Sequence, residues 1–216
     1  MPAAEKRART LVKVCGVRSA EEARAILTLG ADAIGVVVAA GSPRQVQPDQ
    51  ALTLSREIGP GAVLVDRNPA DPDRWALIRA WPGPVQLHGL TSGPHRRTIL
   101  ALHAGDPPPA HAWTERVSAW LLDAPDAGSG TAWTWARPPW LDDRPLLLAG
   151  GLRAQSVGAA IEAVLPWAVD VSSGVERERG VKDLTLVRSF IESVRMADAK
   201  AGRTATPSPA HFAALA

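Results

Sequence analysis

A chain of 216 residues suits one domain with a sizeable core, and its 46% hydrophobic and 21% charged composition excludes disordered and fibrous classes. With 24 basic against 22 acidic residues the net charge is only +2, and no basic stripe interleaved with aromatics marks a nucleic-acid surface. The single cysteine excludes an intramolecular disulfide, and no run reaches the roughly 18 apolar residues of a membrane span, so the expected location is the cytoplasm, with no membrane partner.

Short apolar, β-branched runs alternate with amphipathic stretches along most of the chain. The expected strands are Leu11–Cys15, Ala33–Val38, Ala62–Asp66, Val85–His88, Ile99–His103, Ala119–Asp123, Pro145–Ala149 and Ala168–Ser172. Ser19 with Glu21 and Glu22 marks a helix start, Ala23, Ile26 and Leu27 give it one apolar face, and Gly30 stops it. Further helices are expected over Pro48–Ile58, Arg153–Val164 and Asp183–Val194. Eight strand–helix units in about 190 residues fit a closed (β/α)8 TIM barrel over residues 11–197 better than a doubly wound sheet. The segment Leu90–Arg116 is rich in Gly, Pro and His, which leaves short or irregular helices for units 4–6. Residues 1–10 and 198–216 read as disordered tails.

In a parallel barrel the chemistry lies at the C-terminal strand ends, and polar residues gather there. Gly150-Gly151 after strand 7 and Ser172-Ser173 after strand 8 offer the exposed amides that a phosphate needs. Cys15 closes strand 1 beside Gly16, and Lys13 points to the same side, where its charge favours thiolate. A thiolate can remove a proton from carbon beside an imine. Asp123 ends an apolar strand, a setting that favours a proton-donating carboxyl. Arg44, after Ser42-Pro43, can grip a carboxylate bidentately. His88 reads as an orienting or ring-packing residue and not as the acid-base group, whereas Asp66, Asp126 and Asp142-Asp143 read as solvated or capping residues.

These residues form an ordered pattern: Lys13-Val-Cys-Gly-Val17, Ser42-Pro-Arg44, Val85-Gln-Leu-His-Gly89, Leu121-Leu-Asp123, Ala149-Gly-Gly-Leu152, Val169-Asp-Val-Ser-Ser-Gly-Val-Glu176 and Gly180-Val-Lys-Asp183. The pattern resembles the phosphoribosylanthranilate isomerase family of tryptophan biosynthesis over residues 11–195. The resemblance implies a (β/α)8 barrel and an Amadori rearrangement of N-(5-phosphoribosyl)anthranilate without metal or cofactor. It implies Cys15 as general base and Asp123 as general acid. It implies substrate binding by Lys13, Arg44, His88 and Asp170, and phosphate binding by Gly150, Gly151, Ser172 and Ser173. The substrate would be a phosphorylated small molecule and the protein a monomer or homodimer.

The sequence departs from the family in the loop Ala127–Trp135, at Leu90 after Gln-Leu-His-Gly, and at Asp66 in place of an asparagine. Two alternatives follow from those departures. One is an isomerase acting on another amine N-glycoside phosphate in a specialised pathway; the other is a catalytically silent barrel that serves as a binding partner.

Overall fold

The computed structural model describes residues 8–67, 72–88, 98–110, 117–124, 135–205, 212 and 215. Eight parallel strands pair in chain order and β8 returns to β1, closing the barrel. They are β1 (Leu11–Cys15), β2 (Ala33–Val37), β3 (Ala62–Arg67), β4 (Val85–His88), β5 (Thr98–His103), β6 (Val117–Asp123), β7 (Leu146–Leu148) and β8 (Ala168–Val171). Each expected strand is present, with ends displaced by at most two residues.

Burial follows the two-residue period of a strand. Leu11 and Cys15 of β1 pack with Ala33, Val63, Ile99, Leu121 and Leu147 in the barrel interior. Val12 and Val14 face outward into the layer shared with the helices. Both faces are therefore covered, which is why β1 reads as a continuously buried run and not as an alternating one.

The helices are α1 (Ala20–Thr28), α2 (Pro48–Ile58), α3 (Pro72–Ala80), α4 (Ala154–Val164) and α5 (Leu184–Lys200). Ser19 caps α1 by accepting from the Glu22 amide at 3.1 Å, and Gly30 leaves it at φ +103, a conformation that glycine adopts at little cost. Asp183 caps α5 in the same way, accepting from the amides of Thr185 and Leu186.

In units 4–6 no helix occurs among the described residues. Residues 89–97 and 111–116 lie outside them. The β6–β7 connection instead lays aromatic cover over β6: Trp140 meets Trp120 edge-on at 6.2 Å, and the Arg144 guanidinium stacks 4.6 Å from the Trp120 ring. Asp142, expected to be solvated or capping, ties this cover down by accepting from Trp120 Nε1 and from Arg144. Asp142 stays exposed, as expected, whereas Asp66 is not solvated: it is fully buried, accepting from the Arg67 amide at 2.7 Å and from Arg74 of α3 at 3.0 Å. Asp126 lies outside the described residues.

Described structure continues past residues 11–197 at both ends. Helix α5 continues to Lys200, and Asp198, placed by the sequence reading in a tail, is buried with its side chain 3% exposed. It accepts from the Thr10 amide at 2.9 Å and the Thr10 hydroxyl at 2.6 Å, with Arg195 and Arg203 each 3.6 Å away. Arg9, also assigned to a tail, forms a two-bonded pair with Asp32. Phe212 and Leu215 are buried against the same interior cluster as Leu11 and Ala33, and Phe212 sits 4.8 Å from the Trp167 ring. The pattern of apolar periodicity misses such closures because they rest on single long-range polar contacts and two isolated apolar residues. Residues 1–7, 206–211, 213, 214 and 216, on which the remaining tail expectation falls, lie outside the described residues.

Removing a buried acceptor strands its donors. Asp198→Ala is expected to lower the unfolding free energy by about 3 kcal/mol, measured by urea denaturation. A loss below about 1 kcal/mol would mean that the two ends are not joined through this carboxylate.

Candidate functional site

In parallel pairing, residues opposite one another on adjacent strands point to the same side. β1 and β8 set Lys13 opposite Asp170, and both face inward. Lys13 is fully buried, and its Nζ donates to Asp170 Oδ1 and to Gln86 Oε1, each at 2.9 Å. Burial disfavours its ammonium, but the adjacent Asp170 and Cys15 outweigh that penalty, so its pKa is raised and the charge is kept. Lys13 thus stands inside the barrel with its ammonium engaged by Asp170 and Gln86.

Cys15 is one step further along β1, opposite Gly35 on β2. A Cβ at Gly35 would stand 2.7 Å from Cys15 Sγ, so the glycine makes the space that the thiol occupies. Burial raises the thiol pKa, while Lys13 and Lys182 pull it down and Asp170 pushes it further up. The expected influence of Lys13 is therefore present in sign, but burial wins and the resting group is a thiol.

Asp123 ends β6 half-buried, with Oδ1 accepting from the Ala124 amide at 2.8 Å. Asp123 at the end of β6 and Asp170 near the end of β8 lie toward the same end of the parallel barrel, and the Asp123 charge helps to raise the Asp170 pKa. His88 ends β4; burial, together with Arg67 and Lys13, lowers its pKa to about 4, so it is neutral at physiological pH. Gly89 and Leu90, and all of the loop Ala127–Trp135 except Trp135, lie outside the described residues.

The rim is built by loops that approach closer than side chains would permit. The stem of Arg44 lies over Gly16, where a Cβ would come within 2.3 Å of Arg44 Cδ. The Ser42 hydroxyl accepts from the Arg44 amide at 3.2 Å, holding the turn that delivers it. The guanidinium then bonds Glu176 through Nε at 2.7 Å and Nη2 at 2.8 Å, leaving Nη1 without a partner among the described residues. Glu176 also accepts from Lys182 at 2.8 Å and from the Gly180 amide at 3.1 Å. Burial alone would raise the Glu176 pKa, but these donors hold it down at about 2.

Next to this cluster, Gly150 turns at φ +88 against Ala124, and Gly174 lies so near Leu152 that a Cβ would fall 1.9 Å from its carbonyl oxygen. The backbone after β7 therefore touches the short 3-10 turn Ser173–Val175 after β8. The amides of Gly150, Gly151, Ser173 and Gly174 meet no acceptor among the described residues. The Ser172 hydroxyl is committed elsewhere, donating to the Cys15 carbonyl at 2.9 Å and standing 3.3 Å from Lys182 Nζ.

Of the ten residues singled out in the sequence, Cys15, Arg44, His88, Asp123, Gly150, Gly151, Ser172 and Ser173 stand at or just past the C-terminal ends of strands, while Lys13 and Asp170 lie within β1 and β8 and point into the barrel. Three further polar residues join them. Gln86 was readable as a polar residue at an inward position of an apolar strand. Glu176 and Lys182 sit within quoted motifs, but only the fold shows that they grip Arg44 and Ser172. The ensemble offers a thiol, carboxyls and an anion-accepting amide rim around one opening, the equipment for proton transfer on a phosphorylated ligand.

Comparison with known proteins places this equipment in a family. Residues 12–193 match the family described as PRAI, N-(5'phosphoribosyl)anthranilate (PRA) isomerase. The N-(5'-phosphoribosyl)anthranilate isomerase of Xanthomonas euvesicatoria pv. vesicatoria (strain 85-10) is 38% identical over 211 residues, covering 88% of this chain and 95% of its own. The crystal structure of TrpF from Jonesia denitrificans superposes with a TM-score of 0.73 at 33% identity, covering 88% of this chain and 98% of that one. A phosphoribosyl anthranilate isomerase in complex with reduced 1-(o-carboxyphenylamino)-1-deoxyribulose 5-phosphate gives 0.67 at 31% identity, covering 87% and 99%. The chain belongs to the N-(5'-phosphoribosyl)anthranilate isomerase family.

Proposed function

We propose that this chain catalyses the Amadori rearrangement of N-(5-phosphoribosyl)anthranilate to 1-(2-carboxyphenylamino)-1-deoxyribulose 5-phosphate. The observation that carries the reading is the convergence of Cys15, Asp123 and Asp170 toward one end of the parallel barrel, flanked by the amides after β7 and β8. The substrate is a phosphorylated small molecule and the catalyst a cytoplasmic monomer or homodimer.

Asp123 is the general acid. It protonates the ribose ring oxygen, the C1–O bond breaks, and the anthranilate nitrogen supplies the electron pair that makes an iminium. Cys15 is the general base. It removes the C2 proton, now acidified by the adjacent iminium, and the resulting enolamine takes a proton at C1 as C2 becomes the ketone. No atom is gained or lost overall, so acid and base suffice.

The remaining groups hold the ligand. The Gly150, Gly151, Ser173 and Gly174 amides receive the phosphate, an anchor distant from the reacting carbons. Arg44, braced on Glu176, turns its remaining N–H groups to the anthranilate carboxylate. Asp170 accepts from a ribose hydroxyl. The apolar surroundings of Cys15 keep water from the base, at the cost of a raised thiol pKa.

Turnover is followed by the loss of substrate fluorescence in a steady-state assay. Wild-type protein is expected to show saturable turnover, and binding without turnover would end the isomerase reading. Asp123→Asn and Cys15→Ser are each expected to lower kcat by on the order of 10²–10⁴-fold with substrate binding largely kept. Either variant running at the wild-type rate would require another acid or base.

The pH dependence has a definite sign. The reactive form is the thiolate, and the thiol pKa is raised above 9.0, so kcat/KM should climb through the neutral range toward alkaline pH. Lys13→Met removes a positive charge that opposes this rise, and the base limb should move to still higher pH. A limb that stays in place or moves acidward would remove Lys13 from the control of Cys15.

A further inference from the structure

Four buried or half-buried side chains form one hydrogen-bonded chain across the barrel mouth: Asp170, Lys13, Gln86 and His88. Lys13 Nζ bonds Asp170 Oδ1 and Gln86 Oε1 at 2.9 Å, and Gln86 Nε2 lies 3.1 Å from His88 Nε2. Gln86 and His88 are two residues apart on β4 and so share its inward face.

Direction in this chain follows from the donor inventory. A lysine ammonium has three donors and no acceptor, so the Gln86 oxygen, not its nitrogen, must face Lys13. The amide orientation is thereby set, and the Gln86 NH2 must face His88. An NH2 only donates, so His88 Nε2 must accept and cannot carry a proton. A neutral imidazole then carries its one proton on Nδ1. Free histidine prefers the opposite tautomer, with the proton on Nε2. No other partner of the His88 ring occurs among the described residues.

We infer that Gln86 is a positioning residue, fixing His88 as its Nδ1–H tautomer so that the ring offers the bound substrate a neutral hydrogen-bond donor. The lowered His88 pKa, about 4, agrees with this, because protonation of Nε2 would confront the Gln86 amide with a second donor. The recipient is an oxygen of the phosphorylated sugar or of its aryl substituent; this last step rests on the isomerase reading above. The charge on Lys13 thus acts twice, on Cys15 through space and on His88 through the Gln86 amide.

The test is 15N NMR of the ligand-free protein labelled in its imidazole rings. His88 is one of 5 histidines and is assigned by the signals lost in His88→Asn. The expected wild-type pattern is a strongly deshielded, unprotonated Nε2 and a protonated, pyrrole-like Nδ1 near neutral pH. The reverse pattern, or a mixture of tautomers, in the signals so assigned overturns the inference without any activity assay. Gln86→Glu supplies an acceptor in place of the donor and should put a proton on Nε2, with kcat/KM falling by about tenfold or more. If that variant does not fold, Gln86→Leu serves, and His88 should relax toward the Nε2–H form. An unchanged His88 pattern in a folded variant removes Gln86 from this role. A changed pattern with wild-type kcat/KM removes the donor role of His88. Failure of wild-type turnover would count against the isomerase reading alone, since the tautomer is decided by the spectrum.

Discussion

The ion pair between Lys13 and Asp170 is the constraint from which the arrangement of the barrel mouth follows. Placing two charges inside a closed barrel costs several kcal/mol per ion unless each is met by a partner of good geometry. The strand register supplies that partner by setting the two residues opposite one another on β1 and β8. Once the pair is in place, the neighbours have little freedom. Gln86 must turn its oxygen to Lys13, Cys15 sits within the field of both charges, and Asp123 lies toward the same end of the barrel as Asp170.

A second tier of contacts fixes the loops around this interior. Arg44 crosses from the β2 side to Glu176 beyond β8, and Lys182 ties Glu176 to the backbone of Ser172. Ser172 in turn donates to the carbonyl of Cys15. The residue assigned to the carboxylate of the ligand is therefore linked through three side chains to the backbone of the residue assigned to the proton. Close backbone approaches at Gly16, Gly150 and Gly174 complete the rim, each at a place where a Cβ would collide with a neighbour. At the other end of the molecule, Asp198, Arg9, Phe212 and Trp167 join both ends of the chain to the barrel, away from the chemistry. Stability and catalysis are thus served by opposite faces, as the barrel architecture favours.

The strands were legible because β-branched runs recur between helix caps such as Ser19 and stops such as Gly30. The positions of Cys15, Asp123 and the Gly150-Gly151 pair were legible because strand ends in a parallel barrel converge on one face, so position along the chain converts directly to position in space. What the sequence did not disclose depends on partners distant along the chain. Nothing local marks Asp198 as buried, because its partner Thr10 is at the other end of the chain. Nothing local marks Glu176 as the brace of Arg44 or Gln86 as the neighbour of Lys13. The balance at Cys15 was also hidden: the lysine two residues away was visible, whereas the burial that outweighs it is a property of the folded interior.

The most direct test of the whole arrangement is a crystal structure of this protein with reduced 1-(o-carboxyphenylamino)-1-deoxyribulose 5-phosphate bound. The phosphate should rest on the amides after β7 and β8, the carboxylate on Arg44, and the sugar carbons between Cys15 and Asp123. A ligand bound with its phosphate at Arg44, or with its C2 beyond the reach of Cys15 Sγ, would contradict the account.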